Sequence, residues 1–184
     1  MIWVIECIHN TIYVWTNHIC IGKNCTLRGS IIFEGTCNVS IGSKVRINSG
    51  KRYNIIGGDT RTVFRTVGDG KITIGEASGI SNSTFVSACS IEVGNNVLVG
   101  GNCKFYDTDF HPIDMEQRIA NNNEAVKCGA IKIEDGVFIG SSCIILKGVT
   151  IGEGSVIGAG SIVAKNVPKG ELWAGNPAHF IKKL

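Results

Sequence analysis

The dominant pattern along this chain is a period of six. From Ile133 the sequence divides into "IEDGVF", "IGSSCI", "ILKGVT", "IGEGSV", "IGAGSI" and "VAKNVP", consecutive units that begin at Ile133, Ile139, Ile145, Ile151, Ile157 and Val163. Each opens on an aliphatic residue, often has glycine second, and carries a small or β-branched residue fifth. The same register recurs from Ile21 ("IGKNCT", "LRGSII", "FEGTCN"), from Ile74 ("IGEASG", "ISNSTF") and from Val93 ("VGNNVL", "VGGNCK"). A period of six fits neither a helical stripe at 3.6 nor plain strand alternation at 2. It predicts an all-β chain wound as a parallel β-helix. There a short strand and a turn recur, and each aliphatic residue stacks on its equivalent one coil away at about 4.8 Å. The small fifth residue fits a tight corner, and glycine after the aliphatic relaxes the backbone beside it.

The register slips near residues 39–41 and 86–93, where bulges or small loops are expected. Two longer departures, residues 48–71 and 106–130, have repeat units on both sides. They read as loops thrown out of one coil, not as linkers between domains. The expectation is a single domain over residues 1–184, with 169–184 as a C-terminal tail.

Composition narrows the classes. Apolar residues make up 43% and charged residues 18%, with 24 Gly and 3 Pro, which excludes disorder and collagen. The net charge of +3 is too small to imply a polyanion partner by itself. The apolar start "MIWVIECIHNTIYVWTNHIC" lacks a basic leader region and is interrupted by Glu6, His9, Asn10, Asn17 and His18, so it reads as neither signal nor membrane anchor. Four of the eight cysteines (Cys25, Cys37, Cys103, Cys143) fall at the fifth position of a unit, where a small packing residue is needed. Reduced thiols in a cytoplasm are expected. No metal site is, because C-x-x-C is absent and His9, His18, His111 and His179 form no H-x-x-x-H pair.

The units "IGEGSVIGAGSIVAKNVP" followed by "AGNPAHFIKKL" resemble the hexapeptide-repeat acyltransferases, in the branch of the sugar and polysaccharide O-acetyltransferases and the maltose or galactoside acetyltransferases. The resemblance covers residues 72–184; residues 1–71 share only the repeat. It implies a left-handed, single-stranded parallel β-helix with three units per coil, a homotrimer, and acetyl-CoA as co-substrate in a groove between neighbouring subunits.

That family carries a His-Pro step in its extruded loop, and His111-Pro112 in "YDTDFHPID" matches it. His111 is therefore the candidate catalytic base. An alcohol is a poor nucleophile until its proton is removed as the new bond forms, and an imidazole, with an ordinary pKa near 6.5, suits that task. Asp107 or Asp109 is placed to orient the ring, Asp109 preferentially, and Pro112 biases the backbone of His111 towards extended geometry. Cys128 near the end of the loop is a weaker candidate, as nucleophile in a covalent route.

By the same resemblance, Phe138, Gly140, Ser141, Ala159 and Gly160 line the pantetheine arm of the donor, and Lys165 and Lys182 meet its phosphates. Phe138 stands where the family often has tryptophan, Ala164 where it has threonine, and His179 where it has arginine or lysine. For the acceptor the candidate is Asn82 in "GISNSTF". The segment 44–65 holds Lys44, Arg46, Lys51, Arg52, Arg61 and Arg65 against Asp59, which favours an anionic acceptor. The function expected is direct acetyl transfer to a sugar hydroxyl. The alternatives are N-acetylation of a nucleotide-linked amino sugar, a γ-type carbonic anhydrase and a silent trimeric scaffold.

Overall fold

The computed structural model describes residues 10–12, 14, 15 and 19–184. His9, His18 and most of the apolar N-terminal stretch lie outside the described residues. Six coils follow one another. The first contains β1 (Cys20–Ile21), β2 (Thr26–Arg28) and β3 (Ile32–Gly35); the second β4 (Val39–Ile41), β5 (Arg46–Asn48) and β6 (Val63–Thr66). The third contains β7 (Lys71–Ile74), β8 (Gly79–Ser81) and β9 (Thr84–Ser87); the fourth β10 (Ser90–Val93), β11 (Leu98–Val99) and β12 (Lys104–Tyr106). The fifth contains β13 (Ile131–Ile133), β14 (Phe138–Ile139) and β15 (Ile144–Leu146); the sixth β16 (Thr150–Ile151), β17 (Val156–Ile157) and β18 (Ile162–Val163). The first strands of all coils pair in parallel as face 1, the second strands as face 2, the third as face 3.

The repeat accounts for this architecture residue by residue. Ile133, Ile139, Ile145, Ile151, Ile157 and Val163, the first residues of their units, are all buried. Inside face 3 the same position is aromatic in four coils. Phe33, Phe64, Phe85 and Phe105 stack with ring centroids 5.5, 5.1 and 4.3 Å apart, close to the spacing of adjacent strands. The fifth position does more than fill a corner. Cys25, Cys103 and Cys143 each donate Sγ–H, at 3.1 Å, to the carbonyl of the glycine that follows the aliphatic residue one coil on: Gly42, Gly140 and Gly158. Ser78 and Ser83 do the same to Gly94 and Gly100. A thiol or hydroxyl there satisfies a corner carbonyl that no strand reaches. The corners between faces also need left-handed backbone, which asparagine tolerates: Asn24 and Asn96 lie between faces 1 and 2, Asn82 and Asn102 between faces 2 and 3.

Two boundaries differ from the sequence reading. The first excursion spans 49–62, not 48–71, because Val63–Thr66 returns to face 3 and sets Phe64 between Phe33 and Phe85. The residues 169–184 are not a loose tail. β19 (Glu171–Gly175) continues face 2 in parallel with β17, and β20 (Ala178–Lys183) folds back antiparallel to it, closing the end of that sheet. The slip near 39–41 produces no loop either; β4 is regular and pairs with β1 and β7.

Candidate active site

The two excursions leave the coil at different corners. Residues 49–62 connect β5 to β6, at the corner of faces 2 and 3. Residues 107–130 connect β12 to β13, at the corner of faces 3 and 1.

The second excursion is rooted on Asp107. Its carboxylate is fully buried and accepts three hydrogen bonds, from Ser87 Oγ (2.7 Å), Ala88 N (2.7 Å) and Cys89 N (2.9 Å). The loop then departs as a stalk, with Gly129 N donating to Asp107 O at 2.8 Å and Asp109 N to Lys127 O at 3.0 Å. Beyond the stalk, Phe110 sits at φ +64° with its ring edge-on to Tyr106 at 5.2 Å. A bulky residue in that region is held there by its surroundings, here one position before His111. His111 is exposed. Its backbone N–H donates to Asp109 O at 2.7 Å, and among the described residues its ring makes no hydrogen bond. The following turn is clamped by Arg118, whose Nη1 donates to Pro112 O (2.9 Å) and Ile113 O (2.8 Å) from the short helix Met115–Ile119. Asp114 caps that helix by accepting from Gln117 N.

Neither aspartate orients the imidazole within the chain. Asp107 is committed to the loop root. Asp109 turns its carboxylate to Lys147 Nζ, which reaches both oxygens at 2.7 and 2.8 Å in a largely buried ion pair. A bidentate cation in that setting outcompetes a solvated ring. Cys128 is disfavoured as a nucleophile: desolvation at its sulfur, the adjacent Cys89 thiol and Asp107 push its pKa up, away from the thiolate.

The donor candidates separate into two groups. Ser141, Ala159 and Gly160 form rungs at the corner of faces 2 and 3, where Gly160 N donates to Ser141 O at 2.8 Å. Ser141 is half-buried, while Ala159 and Gly160 are exposed. Gly140 is not open to a ligand. It is buried, and a methyl group there would come within 2.6 Å of Ala159 N, so its small size serves coil stacking. Phe138 is exposed on face 2, in register between Leu98 and Val156. Lys165, by contrast, lies past the end of β18. With Ala164, Asn176, Pro177, Ala178 and His179 it lines a groove of about 370 Å³. Ala164 also borders a second hollow of about 230 Å³ with Tyr106, Asp109, Leu146 and Lys147, which runs this side of face 3 down to the root of the His111 loop. Lys182 is exposed on β20 opposite Leu172.

Within one chain, then, the His111 loop leaves the coil at one edge of face 3 and the Ser141–Ala159 rungs stand at the other, the two edges lying roughly 10 Å apart across a three-residue strand. Asn82, the acceptor candidate, is fully buried. Its Oδ1 accepts from Gly50 N and its Nδ2 donates to Asn54 O, both at 2.7 Å, so its side chain is spent on holding the first excursion. Lys147 and Arg118 were not legible as site residues. The only local hint was Asp114 ahead of Gln117, a helix-capping spacing that places Arg118 on a helix.

A three-sided coil of six-residue units with a His-Pro step on an extruded loop is similar to the hexapeptide-repeat transferases, and the fold is of the left-handed parallel β-helix type of its structural neighbours. The family pattern described as bacterial transferase hexapeptide (six repeats) matches residues 130–165. A provisionally named acetyltransferase of Schizosaccharomyces pombe is 45% identical over 104 residues, covering 56% of this chain and 48% of that protein. A galactoside O-acetyltransferase of Lactococcus lactis is 40% identical over 105 residues, again 56% of this chain and 48% of that protein. Among solved structures, a hexapeptide-repeat acetyltransferase of Vibrio cholerae complexed with acetyl-CoA superposes with a TM-score of 0.63 at 25% identity, covering 95% of this chain and 77% of the other. A maltose O-acetyltransferase of Clostridium difficile does so at 0.62 and 27%, covering 94% and 74%. The chain spans about half the length of the relatives it matches by sequence.

Proposed function

We propose that the protein is an acetyl-CoA-dependent O-acetyltransferase that acts on a hydroxyl of a sugar or surface-polysaccharide unit, as a cytoplasmic homotrimer. The observation that carries this reading is the split just described: a free imidazole at one corner of the coil and an exposed corner ladder at the other. In a closed ring of three identical chains the contacts are head-to-tail, and this reading sets the face 3–1 corner of one subunit against the face 2–3 corner of the next. Each intersubunit groove then combines His111, Lys147 and Lys165 of one chain with Ser141, Ala159 and Gly160 of its neighbour. Acetyl-CoA lies along the rungs, its pantetheine amides pairing with exposed corner backbone and its phosphates towards Lys165 and Lys182.

The chemistry follows from that juxtaposition. The imidazole of His111 takes the proton of the acceptor hydroxyl as the oxygen attacks the thioester carbonyl. A tetrahedral oxyanion forms and collapses with loss of the CoA sulfur, which leaves as thiolate and recovers a proton from the imidazolium. The products are an ester and free CoA, and no covalent enzyme intermediate is needed. Seven free thiols among the described cysteines suit a reducing compartment that supplies acetyl-CoA.

Thiol release from acetyl-CoA in the presence of hydroxyl sugars and amino sugars tests the reading. His111→Ala should lower kcat by about 10²- to 10⁴-fold while acetyl-CoA still raises the melting temperature of the variant. Undiminished turnover in that variant refutes the base. Faster reaction with amino sugars turns the assignment to N-acetylation, and absence of both binding and turnover leaves a scaffold.

A further inference from the structure

The first excursion has no place in the mechanism so far, yet its position is specific. It leaves the coil at the same corner as the Ser141–Ala159 ladder and folds over the rungs that continue it. Gly57 lies directly on Gly101: a methyl group at Gly101 would come within 2.8 Å of Gly57 Cα and N, and one at Gly57 within 2.5 Å of Asn82 Cβ. Asn82 ties both ends of this contact through Gly50 and Asn54, and Thr60 Oγ1 donates to Gly57 O at 2.7 Å. The exposed ladder therefore stops at the fourth coil, under this loop. The fourth coil is also the one from which the His111 loop departs, after β12. The first excursion, rooted on the second coil, thus reaches along the axis to the coil from which the second departs, at the two corners that meet in the proposed ring.

The exposed surface of the first excursion is cationic. Lys51, Arg52 and Arg61 are exposed against Asp59 alone. Asp59 pairs with Lys51 at 3.3 Å, with both side chains largely in solvent, where such a pair is weak. The guanidinium of Arg52 stands 5.8 Å from the centroid of the Tyr53 ring, which steers it without neutralising it. Arg46 and Arg28 add exposed cations on face 2 just below.

We infer that residues 49–62 form the acceptor wall of the intersubunit site, opposite the neighbour's His111, and that Arg52 and Arg61 select a sugar bearing a carboxylate or another fixed negative charge. This rests on the acetyltransferase reading and narrows its substrate class. Guanidinium forks match a carboxylate in both geometry and charge.

The test compares glucuronate and N-acetylneuraminate with glucose and galactose as acceptors, for the wild type and for Arg52→Ala combined with Arg61→Ala. The wild type should prefer the charged sugars. The double variant should lose about 10- to 100-fold in kcat/KM for them, with little change for neutral sugars, for acetyl-CoA hydrolysis without acceptor, or for the thermal shift by acetyl-CoA. A wild type that prefers neutral sugars overturns the inference, as does a charge preference that survives the double substitution. So does equal loss with every acceptor accompanied by dissociation of the assembly, which would make these cations partners of the neighbour's acidic loop residues. Calorimetry with glucuronate separates the two readings. If transfer fails but charged-sugar binding is lost in the double variant, the catalytic reading falls and the anion site stands. If wild-type protein binds no charged sugar, the inference falls alone.

Discussion

Asp107→Asn tests how the His111 loop is held to the coil. The carboxylate receives Ala88 N–H on Oδ1, and Ser87 O–H and Cys89 N–H on Oδ2, in a site with no solvent exposure. An asparagine has one carbonyl oxygen and one NH₂ group, which cannot accept. With its oxygen at the Oδ2 position, the NH₂ confronts Ala88 N–H; flipped, it confronts Cys89 N–H, while Ser87 can rotate to accept from it. Either orientation leaves one backbone donor buried and unpaired, at about 1–3 kcal/mol, and replaces charge-assisted bonds by neutral ones at roughly 0.5–1 kcal/mol each. With two bonds remaining, the sum is about 2–5 kcal/mol. With an m-value of about 2–3 kcal/mol/M in urea for a chain of this size, the unfolding midpoint should fall by roughly 1–2 M. Ser87→Ala, which removes the hydroxyl from Asp107 and from Lys71 O but leaves no backbone N–H unpaired, should cost only about 1 kcal/mol. Because the same anchor fixes the stalk, kcat should fall in Asp107→Asn at temperatures where it remains folded, with the KM for acetyl-CoA little changed. An unfolding free energy within about 0.5 kcal/mol of wild type would refute the accounting, and an equal loss in Ser87→Ala would show that the hydroxyl, not the carboxylate, carries the root.

Two further outcomes follow. Mixing His111→Ala with Ala159→Trp, each inactive as a pure assembly, should restore activity after subunit exchange at about one quarter of the wild-type site count, because a site needs an intact loop from one chain and an intact ladder from the next; no restoration would place both halves of the site on one chain. Asn82→Ala should release the first excursion, raising its proteolytic sensitivity around Lys51–Arg61 and costing about 2–3 kcal/mol through two lost loop anchors and a left-handed backbone that alanine resists, and unaltered cleavage would refute the tether.

The relation of sequence to structure is clearest at the repeat. A rung must bury the first residue of each unit and satisfy a corner carbonyl with the fifth, so Ile139 and Cys143, or Val99 and Cys103, announce the coil without any long-range information. The excursion around His111 was legible because it interrupts a register too regular to break by chance, and the His-Pro step within it through the family resemblance. The first excursion was harder to bound, because Phe64 replaces the expected aliphatic residue and Arg65, facing solvent, disguises a strand as loop. Asp109 was assigned to its sequence neighbour His111, whereas its partner Lys147 lies 38 residues away, brought alongside by coil stacking.

What the chain's order of residues determined by itself was periodicity, hence parallel coiling, the buried set, and the existence of two interruptions. What only the tertiary structure decided was the corner and height at which each interruption emerges. A coil extrudes extra residues at a corner and resumes its stacking beyond them, so the pattern stays recognisable while the corner that takes each insertion, and hence its phase on the three faces, is hidden. That phase puts the His111 loop and the Ser141–Ala159 rungs on opposite edges of face 3, the separation on which the proposed two-subunit site rests.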